Sequence, residues 1–280
     1  VSVYSFSSGS AEQLMMVGYS KFITCDLNDD GCSELMVILP GESETGTGSA
    51  VLYRMQDGNI ERSVEVNVSE DATHIRRITV GRLLGGTPAV FVASAVNNSA
   101  IVTDVFAWRN DRFSNISYSR DSDTSVQTLR NYYVYAEDID GDGVMELPSL
   151  ITMKRVFPEQ EGKQKFLIRW FAMDLEGREM DKFFTFHNYL GGWYMQLASS
   201  WAPRVSVEQE GGRYTFYVWD EDYREASDVF SIYVLTGGSR EEDATVDGRF
   251  AFYRAEGVVY AAKLEANAAE FGITENQLIN

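Results

Sequence analysis

One hairpin pattern recurs at regular intervals along this sequence and narrows the choice of fold. It occurs at Asp26, around Arg82 and at Asp138, so successive copies lie 56 residues apart. Each copy joins two apolar runs through a loop, and each interval carries four short runs with the composition of β-strands. A period of this size with four strands per repeat is typical of a β-propeller blade and differs from the repeats of helical solenoids.

The same count extends through the rest of the chain and predicts an all-β propeller of about five blades, each with four short antiparallel strands. The predicted strands cover residues 1–6, 21–25, 34–39, 50–55, 63–68, 75–83, 88–92, 100–108, 113–118, 132–135, 145–153, 165–173, 182–187, 193–197, 204–207, 214–219, 228–235, 250–253 and 258–264. The fifth step, near residue 250, has few strands of its own. We therefore expect residues 1–6 to complete it and close the ring, which removes open sheet edges.

The last part of the chain leaves two domain organisations open. Residues 261–271 have a composition that predicts a short C-terminal helix. In the favoured interpretation this helix is part of a single propeller domain that spans residues 1–280. In the alternative, residues 1–190 form propeller-like blades and residues 191–280 form a separate α+β domain.

Two of the recurring loops carry the residue pattern of a calcium loop. In the loop that begins at Asp138, carboxylates occupy positions 1, 3, 5 and 9, and Gly143 occupies position 6. The loop that begins at Asp26 repeats this pattern with an asparagine at position 3. Oxygen donors at alternate positions can converge on one hard cation, and a backbone carbonyl at position 7 adds a further ligand. The candidate ligands are Asp26, Asn28, Asp30, the Cys32 carbonyl, Glu34, Asp138, Asp140, Asp142, the Val144 carbonyl and Glu146.

These loops are predicted to hold structural Ca²⁺ between two strands. An EF-hand needs a bidentate Glu at position 12, where this chain has Val37 and Ser149. We expect the Asp138 loop to bind more tightly, because its ligand positions are all acidic whereas the other loop has an amide. In the alternative interpretation, the same side chains cap their own turns through Asx hydrogen bonds and hold no metal.

The two aspartate loops, each followed directly by an apolar strand, resemble the FG-GAP and VCBS-type repeats of integrin α-subunit propellers and of many bacterial extracellular proteins. The similarity covers residues 17–39 and 134–151. It implies a propeller fold, Ca²⁺ at the ligand positions named above, and an extracellular or cell-surface location. The chain also looks similar to extracellular lipoproteins of Gram-positive gut bacteria. The sequence begins at Val1, and we expect a removed export segment or lipid-anchored tether before it.

Charge and hydropathy narrow the class of partner. The chain has 24 Lys and Arg residues against 42 Asp and Glu residues, which gives a net charge of -18 at pH 7. This acidity disfavours binding to nucleic acid or to an anionic membrane. No apolar run approaches the roughly 18 residues of a membrane span, so we expect no membrane insertion. We expect a monomer that meets a protein or a glycan at the cell surface.

The sequence has no recognisable catalytic set. His74 and His187 are the two histidines, and neither lies beside other residues at the spacing of a metal or triad site. Cys25 and Cys32 flank the first loop and are predicted as buried free thiols, with a disulfide as the alternative. The favoured function is a non-catalytic extracytoplasmic binding module. A propeller-type polysaccharide hydrolase or lyase is the alternative.

The final part of the chain is rich in aromatic residues. Aromatic side chains with polar tips suit sugars and protein hot spots, but strands with alternating polarity must also bury one face. We expect core packing for most of this set and surface recognition as the alternative. The set comprises Trp170, Trp193, Tyr194, Trp201, Tyr214, Tyr217 and Trp219.

Overall fold

In the part of the chain that the structure describes, the regular secondary structure is almost entirely antiparallel β-sheet, as predicted. A computed structural model describes residues 1–7, 9–41, 47–70, 72–97, 99–159, 164–188 and 191–279. These residues form 19 strands and a few short helices. None of the helices in these ranges is long and apolar enough to cross a membrane.

The N-terminal strands form a hairpin of their own. Strands β1 (Ser2–Ser7) and β2 (Ser10–Met16) make a two-stranded sheet. Within the described ranges β1 pairs with no other strand, so the prediction that residues 1–6 complete the last sheet is wrong. Gly9 has a φ of 79°, which allows the chain to reverse tightly. Closing such a short loop costs far less chain entropy than pairing the two ends of the chain.

The next two sheets match the first two predicted repeats. Their strands are β3 (Lys21–Cys25), β4 (Glu34–Pro40), β5 (Thr47–Gln56), β6 (Asn59–Asn67), β7 (Ala72–Arg82), β8 (Pro88–Val96), β9 (Ala100–Arg109) and β10 (Arg112–Asn115). The first four strands form one sheet in chain order, and the second four form another. Every residue of β8 is buried, which explains why its sequence is a continuous apolar run.

The following sheet begins later in the chain than predicted. It contains β11 (Glu146–Thr152), β12 (Phe166–Met173), β13 (Glu179–Asn188) and β14 (Trp193–Leu197), in that order. The prediction of a strand at residues 132–135 is wrong, because these residues form no strand. The segment before β11 pairs with that strand only through one isolated bridge, between Glu137 and Glu146. The buried Arg130 guanidinium donates from Nε to the Val134 carbonyl at 2.7 Å, so that backbone acceptor is already satisfied without a strand partner.

The last sheet has five strands. It includes the strands near residue 250 that were predicted to start a fifth blade. Its strands are β15 (Val205–Glu210), β16 (Arg213–Trp219), β17 (Ala226–Thr236), β18 (Phe250–Ala255) and β19 (Val258–Leu264). The order is β15-β16-β17-β19-β18, so the final hairpin extends the sheet instead of beginning a new one.

The C-terminal helix is present but starts later than predicted. Helix α1 (Arg240–Asp243) lies between β17 and β18, and helix α2 (Glu275–Ile279) ends the described chain. The prediction of a helix over residues 261–271 is wrong, because Ala261 and Ala262 pair with Tyr233 and Ile232 of β17. Their burial in this sheet outweighs the helix propensity of alanine. Strand β19 continues to Leu264, and a short 3-10 helix (Ala268–Phe271) ends that segment.

The chain divides into two compact units, one of Val1–Leu150 with Arg169–Lys182 and one of Ile151–Ile168 with Phe183–Asn280. The core of the first unit includes Leu27, which lies in the first aspartate loop. The core of the second unit is aromatic, and the rings of Phe216 and Phe230 stack at 4.3 Å. The choice between a single domain and two domains stays a prediction.

Candidate metal centre

The Asp138 loop is held in shape by hydrogen bonds from its own backbone. Asp138 Oδ2 accepts from the Gly143 N–H at 3.0 Å, and Asp142 Oδ1 accepts from the Val144 N–H at 2.8 Å. Asp140 Oδ1 accepts from the Asp142 N–H at 3.2 Å. Gly143 has a φ of 88°, as the tight turn requires. These local bonds keep the acidic side chains on the inside of the loop.

Glu146 closes the loop from the first position of β11. Its side chain is fully buried, and Oε2 accepts from the Ile139 N–H at 3.1 Å. Its other oxygen, Oε1, is buried without a hydrogen-bond partner, and so is Asp138 Oδ1. A buried acceptor left unpaired costs about 1–3 kcal/mol, so two in one loop are a substantial penalty.

Three carboxylates converge at this point. One oxygen from each of Asp138, Asp140 and Glu146 lies within 4.8 Å of the other two. Ligand oxygens that share a calcium ion at about 2.4 Å can be no more than about 4.8 Å apart. In the part of the chain that the structure describes, no other set of three acidic, histidine or cysteine residues meets this distance criterion. The arrangement can therefore coordinate one hard divalent cation.

A lysine that sequence reasoning missed also lies at this loop. Lys182 extends from β13, and Nζ donates a short hydrogen bond to Asp142 Oδ2. The same Nζ lies 3.7 Å from Asp140 Oδ2 and 4.0 Å from Glu146 Oε1. The hydrogen bond to Asp142 raises the pKa of Lys182 above its ordinary value. No local pattern points to this residue, because it is brought to the loop by the pairing of distant strands.

Burial dominates the electrostatics of Glu146. Desolvation raises the pKa of its carboxyl group to about 7, and the charges of Asp140 and Asp142 act in the same direction. The hydrogen bond from Ile139 and the charge of Lys182 oppose this rise. The carboxylate therefore lacks enough positive charge around it to offset its burial.

The Asp26 loop has the same backbone geometry. Asp26 Oδ2 accepts from the Gly31 N–H at 2.8 Å, and Asp30 Oδ1 accepts from the Cys32 N–H at 2.7 Å. Buried Glu34 accepts from the Leu27 N–H at 2.9 Å through Oε2. The bonds match those of the Asp138 loop position by position, which explains why the two sequences share one pattern.

The two loops differ in how their acidic oxygens are satisfied. Asn28 Nδ2 donates to Asp30 Oδ2 at 2.8 Å. Arg54, on β5, places Nε 3.6 Å from Glu34 Oε1 and Nη2 3.7 Å from Asp30 Oδ2. Among the described residues, this loop contributes no buried side-chain oxygen that lacks a partner. Arg54 thus lies beside Glu34 Oε1, the counterpart of the unpaired Glu146 Oε1. Asp26 Oδ1, the counterpart of the unpaired Asp138 Oδ1, accepts from the Asp30 N–H at 3.1 Å.

The cysteines and histidines form no reactive group. Cys25 and Cys32 are free in this structure, and Cys32 is exposed, so the prediction that both are buried is wrong. Burial raises the pKa of the Cys25 thiol to about 11, so it stays protonated at neutral pH. His74 is exposed on β7. His187 is half-buried, and its Nε2 lies 2.9 Å from Thr185 Oγ1.

The aromatic set mostly packs inside the protein. Trp170, Trp201, Tyr214 and Trp219 are buried, as predicted for core residues. Trp193 and Tyr217 are half-buried. Tyr194 is 58% exposed and stacks on the ring of His187 at 5.2 Å. These positions leave one ring of the set largely open to solvent.

No protein-family model and no curated protein sequence matches this chain.

Proposed function

We propose that this protein is a non-catalytic extracytoplasmic binding module that is stabilised by calcium at the Asp138 loop. The observation that carries the proposal is the pair of buried carboxylate oxygens, Asp138 Oδ1 and Glu146 Oε1, that have no hydrogen-bond partner. The other carboxylate oxygens of this loop accept hydrogen bonds from its own backbone or contact Lys182. A hard cation satisfies two such oxygens at once, whereas a single water or N–H donor brings no net positive charge.

Calcium is the ion that this donor set fits best. The ligands would be Asp138, Asp140, Asp142, the carbonyl of Val144 and Glu146, which are all oxygen donors. Binding loops of extracellular modules hold Ca²⁺ with dissociation constants of about 10⁻⁴–10⁻³ M. The role of the ion is structural, since it would fasten the start of β11 to the loop before it.

We propose weaker calcium binding at the Asp26 loop. Its ligands would be Asp26, Asn28, Asp30, the carbonyl of Cys32 and Glu34. Arg54 already neutralises part of this set, and Asn28 contributes an amide in place of a carboxylate. An incoming ion would have to displace the guanidinium and break a hydrogen bond between two of its own ligands.

We also propose a propeller of the FG-GAP or VCBS type. Four sheets of four or five strands follow one another along the chain, and each is built from neighbouring antiparallel strands. This order supports one blade per sheet. An extracellular or cell-surface location fits the calcium loops, because such loops bind at the millimolar concentrations found outside the cell.

Binding is favoured over catalysis by the placement of the titratable groups. Glu146 has the raised pKa of a general acid, but its side chain is fully buried and a polysaccharide cannot reach it. His187 and Cys25 are each shifted towards their neutral forms by burial, with pKa values of about 4 and about 11. Neither residue then acts as a charged nucleophile or acid at neutral pH.

The experiment that tests this function is thermal unfolding with and without calcium. Purified protein is melted in EDTA, in millimolar CaCl₂ and in millimolar MgCl₂. Millimolar calcium is about ten times a dissociation constant of about 10⁻⁴ M and adds about 1.4 kcal/mol of stability, a rise in Tm on the order of 4 °C. Magnesium should give a smaller rise in Tm, because Mg²⁺ requires nearly ideal octahedral coordination.

The matched variants are Glu146→Gln and Glu34→Gln. The first should abolish most of the calcium-dependent rise, and the second should leave most of it in place. A wild-type midpoint that is the same in EDTA and in CaCl₂ would refute the structural calcium.

A further inference from the structure

A polar cavity opens beside the first aspartate loop, within the first compact unit. Its volume is about 610 Å³, which lies inside the roughly 300–1,000 Å³ range of small-molecule sites. Three turns line it, and they contribute Asn28 and Asp29, Gly85 to Pro88, and Asn110 with Asp111. Trp108, Arg54 and Leu27 complete the wall.

The rim of this cavity is held by contacts between the turns that form it. Arg82 Nη2 lies 3.2 Å from Asp29 Oδ1, and Arg82 Nη1 donates to the Gly86 carbonyl at 2.5 Å. Arg54 stacks over the Trp108 ring at 5.3 Å while it contacts the acids of the Asp26 loop. Both guanidinium groups are therefore committed to partners inside the protein, and the cavity is formed before any ligand arrives.

The remaining polar side chains in the cavity are free to bind a ligand. Asn110, Asp111 and Thr87 line it, and in the described structure none of their side chains makes a hydrogen bond or an ion pair. They offer an amide, a carboxylate and a hydroxyl group. Half-buried Trp108 supplies apolar surface next to them, whereas Leu27 and Pro88 line the cavity but are buried.

The backbone conformation at Asp111 is a second indication that this turn contributes to a binding site. Asn110 and Asp111 are the central residues of the turn between β9 and β10, with φ values of 49° and 59°. The equivalent turn between β5 and β6 is Asp57-Gly58, with a glycine at the second position. A turn with two positive φ angles favours glycine there, so the chain retains a carboxylate at some conformational cost.

We propose that this cavity binds a neutral, hydroxyl-rich ligand, namely a sugar unit of a glycan. A sugar ring has an apolar C–H face and an edge of hydroxyl groups. The C–H face matches the accessible part of Trp108, and the hydroxyl groups match the free Asn110, Asp111 and Thr87 side chains. An anionic ligand would meet Asp111 with both nearby guanidinium groups already paired. The inference rests on the proposed binding function and adds its ligand class and its site.

The test is binding to a glycan array that carries three sets of probes. The sets are neutral oligosaccharides of hexose, pentose and N-acetylhexosamine units, sialylated or sulfated oligosaccharides, and chitosan oligosaccharides with free amines. Neutral probes should be retained and acidic probes should not. The best neutral probe is then titrated by calorimetry against the wild type and two variants.

Asp111→Gly is the informative variant, because glycine suits the positive φ and the turn should fold at least as well without the carboxylate. It should weaken binding by about tenfold, the loss expected for one charged hydrogen-bond partner. Asp57→Gly replaces the aspartate at the first position of the equivalent turn, outside the cavity, and should leave binding unchanged. Unchanged affinity in Asp111→Gly, or preference for acidic or amine probes, would overturn the proposal.

The same samples are melted in EDTA and in CaCl₂. A calcium-dependent rise in Tm without retention of any neutral glycan would refute the sugar site and leave the structural calcium intact. Glycan retention that Asp111→Gly weakens, without a calcium-dependent rise, would support the sugar site and refute the structural calcium.

Discussion

The Lys182 ammonium lies 4.0 Å from Oε1 of Glu146, the fully buried carboxylate that begins β11. The same ammonium contacts Asp142 and Asp140, so it lies on the set of oxygens proposed to hold calcium. The Lys182 ammonium and a calcium ion would then compete for the same carboxylates of the Asp138 loop. The affinity of the loop depends on this competition as well as on its own ligands.

Replacing Lys182 should strengthen the response to calcium. In Lys182→Met the acids repel one another without the ammonium, so the variant should melt below the wild type in EDTA. Added CaCl₂ should produce a larger rise in Tm than in the wild type, because the ion no longer displaces a lysine. The measurement is thermal unfolding with each additive. Lys21→Met, an exposed lysine on β3, is the control; a rise no larger than that of the wild type would contradict competition at this loop.

The two loops should contribute unequally to any calcium effect. Asp140→Ala should remove more of the calcium-dependent rise in Tm than Asn28→Ala, because Asp140 belongs to the converging carboxylate group whereas Asn28 donates to its neighbour Asp30. Melting of both variants in EDTA and in CaCl₂ measures the difference. The reverse order would show that neither the number of acidic ligands nor the number of unpaired carboxylate oxygens determines which loop binds calcium more tightly.

Asp104 should be one of the most sensitive polar positions for stability. Its buried carboxylate accepts hydrogen bonds from the Ser69 N–H, the Ser69 and Ser125 hydroxyls and the Asn115 amide, at 2.6–3.0 Å. Asp104→Ala removes the acceptor of these four hydrogen bonds and should lower the free energy of unfolding by more than about 3 kcal/mol. The Asn115 amide keeps a second acceptor, the Asn67 carbonyl, and the Ser125 hydroxyl keeps its contact with Ser117. Urea denaturation measures the change. Asp57→Gly, in an exposed turn, should change it by little, and a similar small loss in Asp104→Ala would show that the network relaxes around the change.

His187 should make the protein less stable as the solution becomes acidic. Burial lowers the pKa of its imidazole from 6.5 to about 4 in the folded protein. Between these values the unfolded chain binds a proton that the folded protein does not, so stability is present above about pH 6.5 and declines as the pH falls to about 4. The variant His187→Gln removes this contribution and should show a shallower decline over that window in urea titrations. His74→Gln, at an exposed position, should follow the wild type; equal slopes for all three proteins would contradict a buried neutral imidazole.

The protein should not turn over hydrolase substrates. Glycosidase, polysaccharide lyase, esterase and peptidase substrates all require reactive groups that a substrate can reach. The groups with the largest pKa shifts, Glu146, Cys25 and His187, are buried or half-buried. A substrate panel measured on purified protein checks this expectation. Asp220, whose Oδ1 accepts from the Arg224 N–H at 2.7 Å, is an exposed acid suitable as a probe. Activity that survives purification and is lost in Asp220→Asn would assign the protein to the enzymes.

The amino-acid sequence was sufficient for the features that depend on residues close together in the chain. Both aspartate loops were predicted by position, because their hydrogen bonds join groups from two to seven residues apart. Most strands were predicted from alternation and apolar runs, and the sheets from β3 to β10 follow the predicted order. Such contacts are repeated wherever the local pattern is repeated, so a single sequence reveals them.

Only the tertiary structure decided which distant groups meet. Lys182 and Arg54 reach the loops from other strands, and no local pattern distinguishes them from other basic residues. The final hairpin, β18 and β19, joins the preceding sheet because its buried alanines fit beside β17, while β1 remains with its neighbour β2. Many strand pairings satisfy the same alternation of apolar residues. The choice among them depends on side-chain packing and on the chain entropy of closing each loop, and both arise only when the whole chain is folded.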